Sequence, residues 1–218
     1  MIDYAVVGLL ALVAYLLGSI PTAVWYGKSF YNIDIREHGS GNAGATNTFR
    51  VLGKKPGSVV MAVDVLKGYI ATSLARILFV NQLTTIQHEH FVYYQLAFGI
   101  LAVVGHIFPV FARFKGGKGI ATLLGMIIAL HSVAAFACLA VFLVVLLISK
   151  YVSLGSMIAA VAFPIFMALP ALNRGEVNYT LVLIGAGLSI LVIYTHRNNI
   201  SRLMKGEENK TYLIKSKN

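Results

Sequence analysis

Acidic side chains are the scarcest chemistry in this chain. Only eight of 218 residues are Asp or Glu, against 18 Lys or Arg, and charge of both signs together reaches 12%. A soluble domain carries about 25%. The deficit excludes an ordinary soluble domain. The eight carboxylates (Asp3, Asp34, Glu37, Asp64, Glu89, Glu176, Glu207 and Glu208) are scattered along the chain. No pair is spaced for general acid–base work and no His/Cys/Asp cluster suits a metal, so neither metal nor other cofactor is expected. Cysteine is almost missing: Cys138 stands alone inside an apolar run, which excludes an internal disulfide and leaves a packing role. A basic leader is missing too. The first apolar run follows Asp3 directly and is long enough to span a membrane, so it reads as a span and not as a cleaved signal.

What the chain has instead is oil. Hydrophobic residues make up 58% and mean hydropathy is +0.77. Long uncharged runs recur, the signature of an all-α polytopic membrane protein in a single domain over 1–218. Spans are expected at 4–26, 57–80, 91–112, 151–173 and 177–195, with Pro21 kinking or finishing the first, polar loops at 27–56 and 113–119 and a polar link at 81–90. The run 119–149 is uncharged for 31 residues, long for one helix of about 20 residues and short for two.

Charge decides that case. If the run is two helices turning near His131, the chain has seven spans. With the N-terminus outside and the C-terminus cytoplasmic, 15 of the 18 basic residues then face the cytoplasm. With six spans the bias nearly vanishes, so the positive-inside rule selects seven. The net charge of +10 is read the same way, as cytoplasmic retention of Lys and Arg and not as a nucleic-acid footprint. Within the second span Asp64 and Lys67 stand three apart, on one helix face, where they can pair; charges at that depth face protein or water.

One stretch is neither oily nor acidic. Residues 39–50 bring together Gly39, Ser40, Gly41, Asn42, Gly44, Thr46, Asn47 and Arg50. Glycines free the backbone to turn and gather N–H groups, the polar side chains add donors, and Arg50 adds a fixed cationic fork. Donors without carboxylates suit an anion, above all phosphate. The match of Gly39, Gly41 and Gly44 to a dinucleotide fingerprint is rejected, because no strand precedes it and no acidic residue follows at the required distance. Gly27-Lys28-Ser29 resembles the end of a Walker A loop, but Thr22 replaces its first glycine.

A second candidate is Gly116-Gly117-Lys118-Gly119, which opens the next apolar run and would set an ammonium at a helix N-terminus. A flexible turn with a positive-inside lysine explains it as well. His106 reads first as a packing histidine, and His88, His90 and His131 as bystanders on the far side. His196 begins a polar segment with Arg197, Asn199 and Arg202, for which an interfacial belt is the plain alternative. Ser153 and Ser156 can be helix caps. The tail after Ser201 reads as a solvated end.

Five segments in order carry a resemblance over nearly the whole chain. They are Gly39 to Asn47 through Arg50; Asp64-Val65-Leu66-Lys67-Gly68; Gly105-His106-Ile107-Phe108-Pro109 through Lys115-Gly116-Gly117-Lys118-Gly119-Ile120-Ala121-Thr122; Ser153-Leu154-Gly155-Ser156; and His196-x-x-Asn199-Ile200-x-Arg202-Leu203. With these the chain resembles the bacterial acyl-phosphate-dependent glycerol-3-phosphate acyltransferase family. Departures are small: Ala43 and Ile120 stand where valine is frequent, and Gly155 holds a small-residue position. The HxxxxD arrangement of the familiar soluble and peripheral acyltransferases is absent.

The resemblance implies a seven-helix bacterial inner-membrane enzyme with its site toward the cytoplasm. Its partners would be acyl phosphate, glycerol 3-phosphate and membrane lipid, with no nucleic acid. Ser40, Lys118, His196 and Asn199 are expected to be catalytic. Gly41, Asn42, Gly44, Thr46, Asn47, Arg50, Gly116, Gly117, Gly119 and Ser156 are expected to bind phosphate. A transporter or channel for a small phosphorylated solute would use the same anion chemistry, but should show polar groups at mid-membrane and inverted repeats. A phosphate-recognising scaffold would bind without releasing orthophosphate.

Overall fold

The structure, a computed structural model, describes residues 4–80, 90–173 and 175–211. Among these residues it is helical, with no strand. The expected link over 81–89, with His88, lies outside the described residues. The chain forms two compact units, Met1–Leu130 and His131–Asn218.

The first unit begins with α1 (Tyr4–Ser19), which stops where Pro21 supplies no N–H, and resumes at 44° as α2 (Thr22–Tyr31). The break leaves the Ile20 carbonyl exposed to new partners. It accepts from the Thr22 N–H at 3.0 Å and from Lys67 Nζ, also at 3.0 Å. Lys67 sits on α4 (Lys54–Ser73), three residues after Asp64, whose Oδ1 lies 2.8 Å from the ammonium. The same carboxylate oxygen accepts from Thr22 Oγ1 at 3.0 Å. Asp64 and Lys67 are 2% and 4% exposed. The expected pair therefore exists, and its use is local: it satisfies the broken end of one helix and the start of the next, in surroundings where an unpaired charge would be costly.

Between α2 and α4 lies α3 (Ala45–Leu52); α5 (Ala75–Val80) follows α4, then α6 (Phe91–Ile107) and α7 (Ile120–Leu130). Missing side chains let these helices touch. A Cβ on Gly68 would strike the Thr122 carbonyl, and one on Gly125 the Val65 carbonyl, so α4 and α7 meet backbone to backbone. Gly18 and Gly105 do the same for α1 and α6. With lipid tails as apolar as leucine, close contact between small residues is what holds membrane helices together. Phe98, Leu78 and the alanines 14, 71, 75 and 102 fill the remaining space.

In the second unit α8 (Ser132–Ser149) and α10 (Tyr179–Thr195) both pack on α9 (Val152–Met167), and α11 (Arg197–Met204) leaves α10 at 60°. His131 does mark a helix break: its Nδ1 accepts the Ala134 N–H and caps α8. Asn173 Nδ2 closes the end of α9 on the carbonyls of Phe166, Met167 and Leu169. Ser189 Oγ ties α10 to the Ala160 carbonyl of α9.

Among the described residues, three helices are long and apolar enough to cross a membrane, five if each bent pair counts as one span, and Ile120–Leu130 and Val152–Met167 are shorter apolar helices. The chain is thus a multi-pass membrane protein. The expectation of seven helices is corrected, because the described residues hold more. Pro21 splits the first span, and helices form where loop or tail was expected: α2 runs on to Tyr31, α3 occupies Ala45–Leu52, and α11 occupies Arg197–Met204. Each of α3 and α11 is only 8 residues long and neither is apolar throughout, so the hydropathy that reveals spans passes over them.

Candidate functional site

Two polar loops of the first unit meet. The first leaves α2 and enters a 3₁₀ turn (Ile35–Glu37) capped by Asp34, whose Oδ1 accepts the Arg36 N–H. The Arg36 guanidinium returns to the same carboxylate in a two-point pair, Nε to Oδ1 at 2.9 Å and Nη2 to Oδ2 at 2.6 Å, and Lys28 lies 3.2 Å from Oδ2. This pairing holds the Asp34 carboxyl well below the usual carboxylate range, against the desolvation that would raise it. The remaining guanidinium donor, Nη1, reaches the Ala112 carbonyl of the second loop at 3.2 Å.

The chain then turns tightly through Gly39 (φ +61°) and Gly41 (φ +72°), left-handed conformations that favour glycine. Gly44 caps the start of α3, where the Asn47 N–H donates to the Gly44 carbonyl and the N–H groups ahead of it, on Ala45 and Thr46, come too early for an intrahelical bond. The Ser40 and Thr46 side chains and Arg50 are exposed and Asn42 is half-buried. Asn47 differs: it is 1% exposed, and its amide bonds only to its own loop.

The second loop folds back on the end of α6. The Gly116 and Gly117 N–H groups donate to the Ile107 and His106 carbonyls, at 3.2 and 3.1 Å. They are therefore not the open donors that the glycine pattern suggested, and the Gly41 N–H likewise donates to His38. The glycines serve close approach. A Cβ on Gly117 would strike the His106 imidazole and lie 3.0 Å from the Ala43 carbonyl of the first loop. The stretches holding Ser40 and Lys118 thus lie against one another in this unit. Lys118 is half-buried and Gly119 (φ +81°) leads into α7. Beneath them, His106 Nδ1 is 3.7 Å from Asp64 Oδ1, so the loops rest on the buried charged pair.

The second unit gathers the other expected residues. His196 ends α10, 3% exposed, with Nδ1 2.8 Å from the Val192 carbonyl. A carbonyl only accepts, so Nδ1 carries the proton and the lone pair of the neutral ring is on Nε2. Asn199, one turn on, donates to Glu208 Oε1 at 2.7 Å; Ser153 Oγ donates to the same oxygen at 2.9 Å, and Arg202 Nε to Oε2 at 2.7 Å. Burial raises the Glu208 pKa, but these three donors outweigh it and hold the carboxyl below its ordinary value. Ser156 gives its hydroxyl proton to the Val152 carbonyl of its own helix.

Sequence reasoning missed Glu208, assigned to a solvated tail, and Arg36, counted only as a basic loop residue. Glu208 lies past the end of α11, so no helical period links it to Asn199 or Arg202. Arg36 touches a loop 76 residues away.

Comparison with known proteins points one way. The family model described as glycerol-3-phosphate acyltransferase matches residues 8–206. A glycerol-3-phosphate acyltransferase of Listeria monocytogenes serovar 1/2a is 48% identical, over 93% of this chain and 95% of that protein. One from Chlorobaculum tepidum is 43% identical, over 91% and 93%. Among solved structures, the glycerol 3-phosphate form of PlsY (YgiH), an integral membrane glycerol 3-phosphate acyltransferase, is 34% identical, with a TM-score of 0.79 over 94% of this chain and 96% of that one. Its lysophosphatidic acid form gives 0.78.

Proposed function

Because the chain belongs to the glycerol-3-phosphate acyltransferase family, we propose that the two joined loops of its first unit hold the phosphates of an acyl-transfer reaction. The enzyme moves a fatty acyl group from acyl phosphate to the 1-hydroxyl of glycerol 3-phosphate, giving lysophosphatidate and orthophosphate. The observation that carries the assignment of the site is the close approach of Gly117 to the Ala43 carbonyl, with the carboxylate-free stretch 39–50 beside a lysine loop at the start of a helix.

Arg50 and Lys118 hold phosphate by charge. The Ser40 and Thr46 hydroxyls, the Asn42 amide and the N–H groups opening α3 steady phosphate and the oxyanion that develops on the acyl carbonyl. The 1-hydroxyl oxygen attacks the acyl carbon, the bond from that carbon to the phosphate oxygen breaks, and orthophosphate leaves. The Asp34 carboxylate of the first loop is engaged by Arg36 and Lys28. A substrate phosphate oxygen takes the hydroxyl proton. The donor is already activated, so positioning supplies much of the rate. His196 and Asn199 serve the same reaction. The Glu208 bond fixes the Asn199 amide, and the Val192 bond fixes the His196 tautomer.

The membrane is the bacterial inner membrane, with the N-terminus outside and the C-terminus and both loops cytoplasmic. The charge bias supports that orientation, since with seven spans and the N-terminus outside 15 of the 18 basic residues fall on the cytoplasmic side. A topology reporter fused after Gly175 is expected to give an external signal; a cytoplasmic signal overturns the orientation. For the reaction, purified protein given acyl phosphate and glycerol 3-phosphate is expected to release equal lysophosphatidate and orthophosphate. Solute flux into liposomes without product overturns it in favour of transport. Ser40→Ala and Lys118→Ala should each lose most turnover, and near-normal turnover in either removes that residue from the site.

A further inference from the structure

Asn47 stands among the exposed donors of the first loop in sequence, yet none of its donors faces outward. Its Nδ2 carries two protons. One goes to the Ile35 carbonyl at 3.0 Å and the other to the His38 carbonyl at 2.9 Å. Its Oδ1 accepts the Ser40 N–H at 2.8 Å. At 1% exposure the side chain has no surface to offer a substrate. The backbone of 35–40 is wrapped around one carboxamide and meets it at three points.

The wrapping sets the neighbouring sequence. Gly39 passes directly over the amide at φ +61°, where a Cβ would strike Asn47 Oδ1 and lie 2.9 Å from Val51 Cγ2. Asn47 is itself fixed from behind, because it lies in the first turn of α3 and its N–H donates to the Gly44 carbonyl at 3.1 Å. The turn that displays Ser40 is thereby referenced to the start of α3. Arg36, inside the wrapped segment, refers the same turn to Ala112 of the lysine loop.

We infer that Asn47 is a positioning residue that sets the Ser40 turn, and not a phosphate ligand. This rests on the reading that Ser40 contacts substrate. Aspartate at 47 has nearly the same size and keeps an acceptor for the Ser40 N–H, but has no proton for either carbonyl. Alanine loses all three bonds. A residue acting through Ser40 must share its effect with Ser40, whereas an independent ligand would add its own.

The experiment compares kcat and KM for glycerol 3-phosphate in Ser40→Ala, Asn47→Asp, Asn47→Ala, Gly39→Ala and the double variant Ser40→Ala/Asn47→Asp. Each is normalised to folded protein by thermal unfolding in detergent. Asn47→Asp and Gly39→Ala are expected to lose at least tenfold in kcat/KM, with the same kcat-to-KM split as Ser40→Ala. The double variant should be no worse than the poorer single one. Multiplicative losses overturn the inference, as does an Asn47→Asp protein with unchanged kcat/KM. If Ser40→Ala itself keeps full turnover, the reading of the site fails instead. Should Asn47→Ala fail to fold, Asn47→Asp and Gly39→Ala still decide the matter, since each keeps part of the turn.

Discussion

Gly117 has no side chain because its space is already taken. The His106 ring stands on one side and the Ala43 carbonyl on the other, so alanine there must push the two loops apart. A shift of about 1 Å in a positioning group costs on the order of 100-fold in rate. Gly117→Ala is therefore expected to lose about that much kcat/KM while its unfolding temperature changes little; activity within threefold of the parent would contradict the packing. Glu208 is the opposite case, a residue defined by what it holds. Gln in its place keeps an acceptor for Ser153 and Asn199 but turns an amide toward Arg202. Losing one charge-assisted bond costs about 1–3 kcal/mol.

The sign of the pH effect follows from the lowered Glu208 pKa. The network's contribution is full above the ordinary glutamate value of about 4.3 and is lost as pH falls through the lowered value. The parent's unfolding midpoint should thus hold steady from neutral pH down to about pH 5, relative to Glu208→Gln, and the gap should close in stronger acid. A gap that widened on acidification would reverse the assignment. At this scale the exposed donors Ser40, Thr46 and Arg50 were legible because their chemistry is written in their side chains. The engaged state of Asn47 and Ser156 was not, because it depends on which carbonyls lie within 3.1 Å.

Among the elements, the break between α1 and α2 is where the buried charges Asp64 and Lys67 are used. Proline at 21 and the pair Asp64–Lys67 were each visible in sequence, the pair from its i,i+3 spacing. Their meeting was not, since it joins residues 47 apart through the Ile20 carbonyl. Removing one member leaves the other buried and unpaired inside the protein. Lys67→Met is expected to destabilise the protein by about 3–5 kcal/mol, and Asp64→Leu/Lys67→Met by less than either single change. Thermal unfolding in detergent checks this, and additive losses would show that the two charges do not depend on each other. Gly68→Val tests the neighbouring crossing, where a side chain would meet the Thr122 backbone of α7. Lower yield of folded protein is expected, with a lower unfolding temperature in what remains.

For the whole molecule, a net charge of +10 with both substrates anionic makes binding sensitive to salt. The Debye length shrinks from about 10 Å at 0.1 M to about 3 Å at 1 M. KM for glycerol 3-phosphate should rise severalfold over that range with kcat nearly constant, and a flat KM would mean that the basic surface has no part in capture. The charge asymmetry behind the proposed orientation counts residues by side and says nothing of which helices bend. That is why hydropathy located the apolar segments yet missed α3 and α11, whereas the bend at Pro21 was marked by the proline itself.

Sequence alone decided the class of this protein. Oily runs with few carboxylates can only be stable where every backbone group is bonded inside a helix, and a donor-rich stretch without acid can only favour an anion. Tertiary structure decided which donors remain outward. A hydrogen bond between Asn47 and Ile35, or between Arg36 and Ala112, depends on distances that no local pattern encodes, because the partners lie 12 and 76 residues apart and meet only once the loops have folded.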